Sequence, residues 1–466
     1  MTVSRTSGSA EAPATRRTGW ILGLLAFAQL IIAVDYNIVF VALPEIGAGL
    51  GFSAQTLQWV VSAYAVTFGG FLLLGGRGAD LFGRRRMFVA GLALYGASSL
   101  LGGLAATPLL LVAARAVQGI GGAFLAPATL SLVTTTFAEG RERNRALAIW
   151  GGAGGSGMVL GSLFGGLLTE SFGWSAVFFF NVPLVAVAVA LALRFIPPDA
   201  GARSARGFDL AGALTATAGA TLLVFALVQG PAGGWGSAPV LIALIAAVVL
   251  LSAFGVIEAR GADPLMPLRL FANRGMSTGM VVTFLFMATF GAVAYFFTVY
   301  FQGMLGYSAL QTGVAFLLPC ASVLAGTVLG GRLATRFGVR ATLLGALVLG
   351  VVGTVAFGVA VSPDGSYLGL VPGLVVLSLG QGIVFTAMFA AATSGVAAAD
   401  QGIASGIVTT GQQIGGAVGL AVLVALANSA DGPADPGGLR TAFYAVAAGI
   451  ALTFVVTLNF RRARPE

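Results

Sequence analysis

Fourteen stretches of this chain stay apolar for the thickness of a bilayer, and no other feature limits its fold so tightly. They fall at residues 20–42, 57–75, 87–105, 108–134, 145–168, 174–195, 209–229, 238–257, 276–302, 310–331, 341–361, 366–392, 402–427 and 441–460. A helix needs about 20 predominantly apolar residues to cross the hydrocarbon core, whereas a barrel strand shows short segments of alternating character. Runs this long and continuous specify membrane helices. Only 9% of the residues are charged and 58% are hydrophobic, with a mean hydropathy of +0.97. A soluble domain, with about 25% charged residues, covers itself with polar surface that this chain lacks. The 69 glycines fit helices packed in lipid, where small residues let backbones approach.

Loop charges give the orientation. Arg5, Arg16 and Arg17 precede the first span. Arg77, Arg84, Arg85 and Arg86, then Arg141, Arg143 and Arg145, then Arg194, Arg203 and Arg206 follow on the same side. So do Arg260, Arg269 and Arg274, then Arg332, Arg336 and Arg340, and the terminal Arg461, Arg462 and Arg464. Only Arg440 falls in an opposite loop, and Arg115 lies within a span. Positive charge stays cytoplasmic, so both termini are expected inside, in a cell (inner or plasma) membrane. The net charge of +8 then reflects topology and anionic lipid headgroups, and calls for no nucleic-acid partner.

The chain repeats itself. Leu50-Gly-Phe-Ser-Ala54 returns as Leu305-Gly-Tyr-Ser-Ala309, Gly75-Gly-Arg77 as Gly330-Gly-Arg332, and Phe82-Gly83 as Phe337-Gly338, all at an offset of 255. Gln118-Gly119 returns as Gln381-Gly382, and the Gly157 and Gly161 helix as one with Gly415 and Gly419. The fold expected is an all-α membrane protein of two pseudo-symmetric six-helix halves, with an extra helix pair between them. Its divisions are a cytoplasmic tail at 1–19, a half at 20–195, a linker with two spans at 196–275, a half at 276–460 and a tail at 461–466. Chains built of two related halves are typically transporters, with their site near the midplane between the halves.

Missing residue types exclude whole classes of function. Without Lys no P-loop can be completed, and without His there is no His-based triad, zincin helix or imidazole relay. One Cys, Cys320, allows no internal disulfide. The GxGxxG string at Gly152, Gly154 and Gly157 lies inside a span and not after a strand, so it reads as packing. No enzyme activity, cofactor or metal site is expected.

Two charges stand inside spans. Asp35 interrupts the run from Trp20 to Pro44, where a carboxylate costs about 2.5–3.5 kcal/mol on insertion scales. It can alternate between charged and neutral forms according to the side of the membrane it sees. Arg115 keeps its charge when buried and acts on a nearby acid or orients a water. The plainer alternatives are that Asp35 anchors a neighbouring helix and that Arg115 binds backbone carbonyls.

The loop GGRGADLFGRRRMF resembles the signature loop of the major facilitator superfamily at Gly76, Asp80, Gly83 and Arg84 to Arg86. VDYNIVFVALP is similar to the first-helix motif of its fourteen-helix drug:proton antiporter branch. Arg115, Gln118 and Gly119 resemble the fourth-helix motif, and WSAVFFFNVP, ending at Asn181-Val-Pro183, the sixth-helix stretch. The resemblance spans the chain. Three departures stand out. Ser162 takes the place of the Pro in the fifth-helix antiporter motif, although Gly157, Gly161 and Gly165 keep a small-residue face. Asn37 stands where Thr is common, and Thr335 replaces the acid in the second copy of the loop.

The resemblance implies a monomeric, proton-gradient-driven exporter of lipophilic or amphipathic small molecules, with Asp35 and Arg115 coupling protons. Gly76, Asp80, Gly83 and Arg84 would form a gate, with Asp80 latching the start of span 13. Tyr36, Asn37, Phe40, Gln118, Phe290, Phe297, Gln381 and Phe385 would line the cavity made by spans 1, 4, 9 and 12. A proton-coupled importer of one polar metabolite, recognised by saturable uptake, is the alternative of the same fold. A non-transporting membrane sensor is the alternative of another class, and the embedded Asp35 and Arg115 argue against it.

Overall fold

The computed structural model describes residues 12–458 apart from 54–55, 139–140, 199–208, 262–263, 394–395, 397–400 and 431–434. Among the described residues there are helices and no strands. They form fourteen rods, numbered in chain order. These are α1 (Ala12–Leu50), α2 (Trp59–Phe82), α3 (Arg84–Gly103), α4 (Pro108–Thr136), α5 (Arg141–Phe172), α6 (Ser175–Phe195) and α7 (Leu210–Gly233). They continue as α8 (Ala238–Arg260), α9 (Arg274–Met304), α10 (Ala309–Phe337), α11 (Val339–Ala360), α12 (Tyr367–Thr393), α13 (Gln401–Ala430) and α14 (Pro436–Leu458). Thirteen are long and apolar enough to cross a membrane. The other, α3, opens on Arg84-Arg85-Arg86, which lowers its mean hydropathy, yet it packs between α4 and α6 like its neighbours.

Most rods extend past the apolar runs. α1 starts at Ala12, inside the segment that composition reads as a tail, and α10 runs to Phe337. Polar residues can prolong a helix beyond the hydrocarbon, and composition marks only the apolar part. Ends are fixed locally. Thr107 caps α4 by accepting from Leu110 N, with Pro108 in the first turn, and Asn273 caps α9 through Gly275 N and Met276 N. Ser308 and Gln311 form a reciprocal capping box at the start of α10.

The repeat is a repeat of structure. α2 and α3 are joined through Gly83 alone, at φ 102°, and α10 and α11 through Gly338 alone, at φ 82°. Each position lies in the left-handed region that only glycine adopts without strain. Gly51 and Gly306, 71° and 67°, form a second such pair. Arg85 Nη2 donates to Leu193 O at the end of α6, 2.7 Å, and Arg340 Nη2 to Leu458 O at the end of α14, 2.9 Å. Each guanidinium thereby satisfies a carbonyl at the negative end of a helix.

Packing follows one scheme twice. α1 lies on α5, α2 on α4, α3 on α4 and α6; α9 lies on α13, α10 on α12, α11 on α12 and α14. The inserted pair behaves differently. α7 packs on α2 and α13 together through Val66, Ala220, Val224, Ala417 and Ala421, so it bridges the two halves, while α8 packs chiefly on α7. The halves also meet directly where α2 touches α13 and α5 touches α10.

Candidate functional site

Asp35 sits midway along α1 and is completely buried. Its Oδ2 accepts from Arg115 Nη1 of α4 at 2.8 Å. Its Oδ1 accepts from Gln118 Nε2, one turn further along α4, at 2.9 Å and from Asn181 Nδ2 of α6 at 2.5 Å. Gln118 also donates to Ser99 Oγ of α3, 2.8 Å, and its Oε1 accepts from Arg115 Nη1, 2.6 Å. Arg115 Nε donates to Val60 O of α2, 2.9 Å, and its guanidinium lies 4.5 Å from the centre of the Tyr64 ring. The cluster therefore draws on α1, α2, α3, α4 and α6. Every member comes from the first half.

Local sequence explains the placement. Arg115 and Gln118 stand i, i+3 and share a helical face. Pro183 has no N–H to give to Phe179 O, and α6 turns at Phe180 just before Asn181. Both carboxylate oxygens of Asp35 have donors, and a full positive charge lies beside them. Taking away one partner of such a buried pair costs about 3–5 kcal/mol, because the other charge is left uncompensated. Asp35 therefore lines no open cavity in this conformation.

Of the residues that sequence reasoning gives to substrate, Gln118 lies in the ionic cluster in this conformation. Phe290 and Phe297 are 1% and 4% exposed and pack inside the second half. The Phe297 ring lies 4.8 Å from Phe357 and 5.9 Å from Phe301, and Phe290 lies 5.2 Å from Phe286. A heavily aromatic span reads equally as a pocket wall or as a core, and the contacts make these two core. Phe40 is buried too, 5.6 Å from the half-buried Tyr36. Asn37 turns its amide back to Ala33 O, 2.7 Å. Gln381 is half-buried, and Phe385 is exposed beside Phe389.

The small-residue face of α5 packs on α1. A Cβ on Gly161 would come 2.7 Å from Val34 O and 2.8 Å from Asn37 Cβ; one on Gly165 would come 2.8 Å from Ile38 O; one on Gly157 would strike Ala33. Gly157, the last glycine of the GxGxxG string, is thus a packing residue inside α5. Ser162 donates to Met158 O, 3.0 Å, and lies 3.8 Å from Cys320 Sγ across the contact with α10, in an unbroken α5. Among the gate residues, Gly83 makes the single-residue link from α2 to α3, a Cβ on Gly76 would lie 3.8 Å from Pro127 Cβ, and Arg84 is half-buried at the start of α3. The Asp80 side chain and its expected partner at the start of α13 lie outside the described residues, as do Arg203, Arg206 and the terminal arginines.

At the ends away from the arginine-rich loops the halves hold each other by polar contacts that sequence reasoning missed. Glu170 Oε2 at the end of α5 accepts from Ser308 Oγ, 2.5 Å, and Leu310 N, 2.9 Å, at the start of α10. Gln302 Nε2 of α9 donates to Val41 O of α1, 2.8 Å. Asn181 carried a signal, an amide two residues before a proline in an apolar span. Glu170 carried none.

A family model described as Major Facilitator Superfamily matches residues 25–420. The chain belongs to that superfamily. It is 41% identical over 418 residues to the cephamycin export protein CmcT of Amycolatopsis lactamdurans, covering 88% of this chain and 85% of that one. It is 38% identical over 421 residues to the puromycin resistance protein pur8 of Streptomyces alboniger, covering 90% and 83%. Among solved structures, an auto-inhibited POT family peptide transporter superposes with a TM-score of 0.69 at 18% identity, covering 97% of this chain and 99% of that one. That likeness is one of fold. Superfamily members are transporters and not enzymes, and this one is a multi-pass membrane protein.

Proposed function

We propose that this protein is a secondary active exporter that moves lipophilic or amphipathic small molecules, of the drug, antibiotic and secondary-metabolite kind, across the cell membrane in exchange for protons. The observation that carries this reading is its identity to export and resistance proteins over nearly the whole chain. Transport proceeds by alternating access, as the two halves rock about the α2–α13 and α5–α10 contacts. Both termini are cytoplasmic, the working unit is a monomer, and the proton gradient replaces any cofactor.

Asp35 is the proton-coupling group in this scheme. It is buried with a full set of donors. Protonation therefore requires the network to open, which ties the proton to helix movement. Arg115 compensates the ionised form, and Gln118 and Asn181 hold the carboxylate in register. A well-folded Asp35→Asn protein in proteoliposomes should lose gradient-driven transport across a chemically diverse panel while retaining energy-independent exchange. Undiminished gradient-driven export by that variant would reject the assignment. Saturable inward transport of one polar solute by the parent protein would instead support an importer.

A further inference from the structure

Glu258, in the last turn of α8, is 3% exposed. Its Oε2 accepts from Met266 N, 2.8 Å. Its Oε1 is buried with no hydrogen-bond partner. Leaving an ionised carboxylate oxygen in that state is costly, because the water it gave up is not replaced. This oxygen and a second acid both border Gly212. A Cβ on Gly212 would lie 3.1 Å from Glu258 Oε1 and 2.5 Å from Asp209 Oδ2. Asp209 is the N-cap of α7, and its Oδ1 accepts from Gly212 N at 2.8 Å. Among the charged side chains described here, Arg77 faces the pair from α2, with Nη2 donating to Pro264 O at 2.7 Å, and Arg260 follows on α8 itself.

We propose that Glu258 and Asp209 form a proton-binding carboxyl pair at the arginine-rich end of the inserted helices, separate from Asp35. In this conformation Glu258 carries the proton, on Oε1. The protonated Oε1–H donates toward Asp209 Oδ2, while Oε2 keeps the Met266 amide. Two carboxylates side by side do not readily ionise together, so one proton serves both. Asp35 differs on every count, having donors on both oxygens and a guanidinium at 2.8 Å.

The pair sits where it can act on the whole bundle. Glu258 and Arg77 pin the strap 264–266 between α8 and α9. Leu265 of that strap packs with Leu74 and Ala213, and Met266 with Met276, Ala404 and Ile407. The strap therefore ties α2 and α7 to α9 and α13, across the two halves. Loss of the proton places a second negative charge at its anchor. This inference stands whether or not transport is coupled through Asp35.

The test is pH-titrated infrared difference spectroscopy of the purified full chain in nanodiscs, reading the carbonyl stretch of protonated carboxylic acids. At neutral pH the parent should show the band, Asp35→Asn should retain it and Glu258→Gln should lose it. Asp209→Asn should weaken it, since Asn caps a helix as well as Asp does and only the charge is removed. Should Glu258→Gln fail to fold, the Asp209→Asn spectrum decides. A parent without the band at neutral pH, a band untouched by Glu258→Gln or Asp209→Asn, or one abolished by Asp35→Asn alone overturns the proposal.

Discussion

The two halves of this molecule share one packing scheme and are filled in opposite ways. The loop motifs repeat at an offset of 255. Asp35 then corresponds to Phe290. At the offset that carries Gln118 onto Gln381, Arg115 corresponds to Ser378. Where the first half closes a buried ion pair, the second closes a set of rings, with Phe357 and Phe443 centred 4.6 Å apart. The helices answer accordingly. α1 is unbroken through Asp35, whereas α9 passes into a 3-10 turn at Phe290–Ala292 and a π turn at Val299–Met304. Such breaks in a membrane helix survive where neighbouring protein covers them. One half is thus closed on buried charges, and the other on packed rings.

The sharpest way to break this comparison is to leave one charge of the ion pair alone. Arg115→Met should destabilise the protein by about 3–5 kcal/mol, read as thermal unfolding in detergent. Asp35→Asn combined with Arg115→Met should be less destabilised than Arg115→Met alone, because no charge remains buried. If the double variant is no better than the single one, charge compensation is not what holds the first half. In the second half the matching blow is Phe297→Ala, which should cost about 3–5 kcal/mol through the cavity it opens. Substrate affinity of the folded fraction should stay unchanged. Altered affinity at full stability would instead return Phe297 to the cavity wall.

These two variants mark how much the sequence discloses. The membrane fold was legible because apolar length and continuity follow from the thickness of the bilayer, and the repeat because glycines at Gly83 and Gly338 are demanded by the same turn. The ion pair was half legible. Asp35 and Arg115 are conspicuous in apolar runs, but their contact depends on how α1 and α4 are rotated, which no local pattern records. Gln118 and Phe297 show the same limit, since a polar or aromatic side chain in a span does not say whether it faces a cavity or a neighbour. Glu258 escaped notice at the edge of its span, where an acid is ordinary until burial and a missing partner set it apart.

A smaller effect should be equal in the two halves, because it tests what they share. Gly161→Ala presses a methyl group onto Val34 O and Asn37 Cβ, and Gly419→Ala presses one onto the backbone of Ala288. Each should cost about 1–3 kcal/mol by overpacking, since a backbone oxygen cannot move aside. Unfolding temperatures that fall in one half only would mean that the glycine seams are not equivalent, whatever the repeat implies.

The smallest effect compares the two arginine caps. Arg85 binds Leu193 O at the end of α6 and Arg340 binds Leu458 O at the end of α14, both partly exposed. A cation at a helix C-terminus contributes about 0.3–1 kcal/mol, and salt screens it. Arg85→Gln and Arg340→Gln should therefore lower stability by similar small amounts at low ionic strength, and the loss should shrink as salt is added. Transport should survive both, because neither residue touches the Asp35 cluster. Should Arg85→Gln abolish transport while Arg340→Gln leaves it intact, the cap in the first half has a gating part that its twin lacks. The symmetry of the two loops would then be one of backbone only.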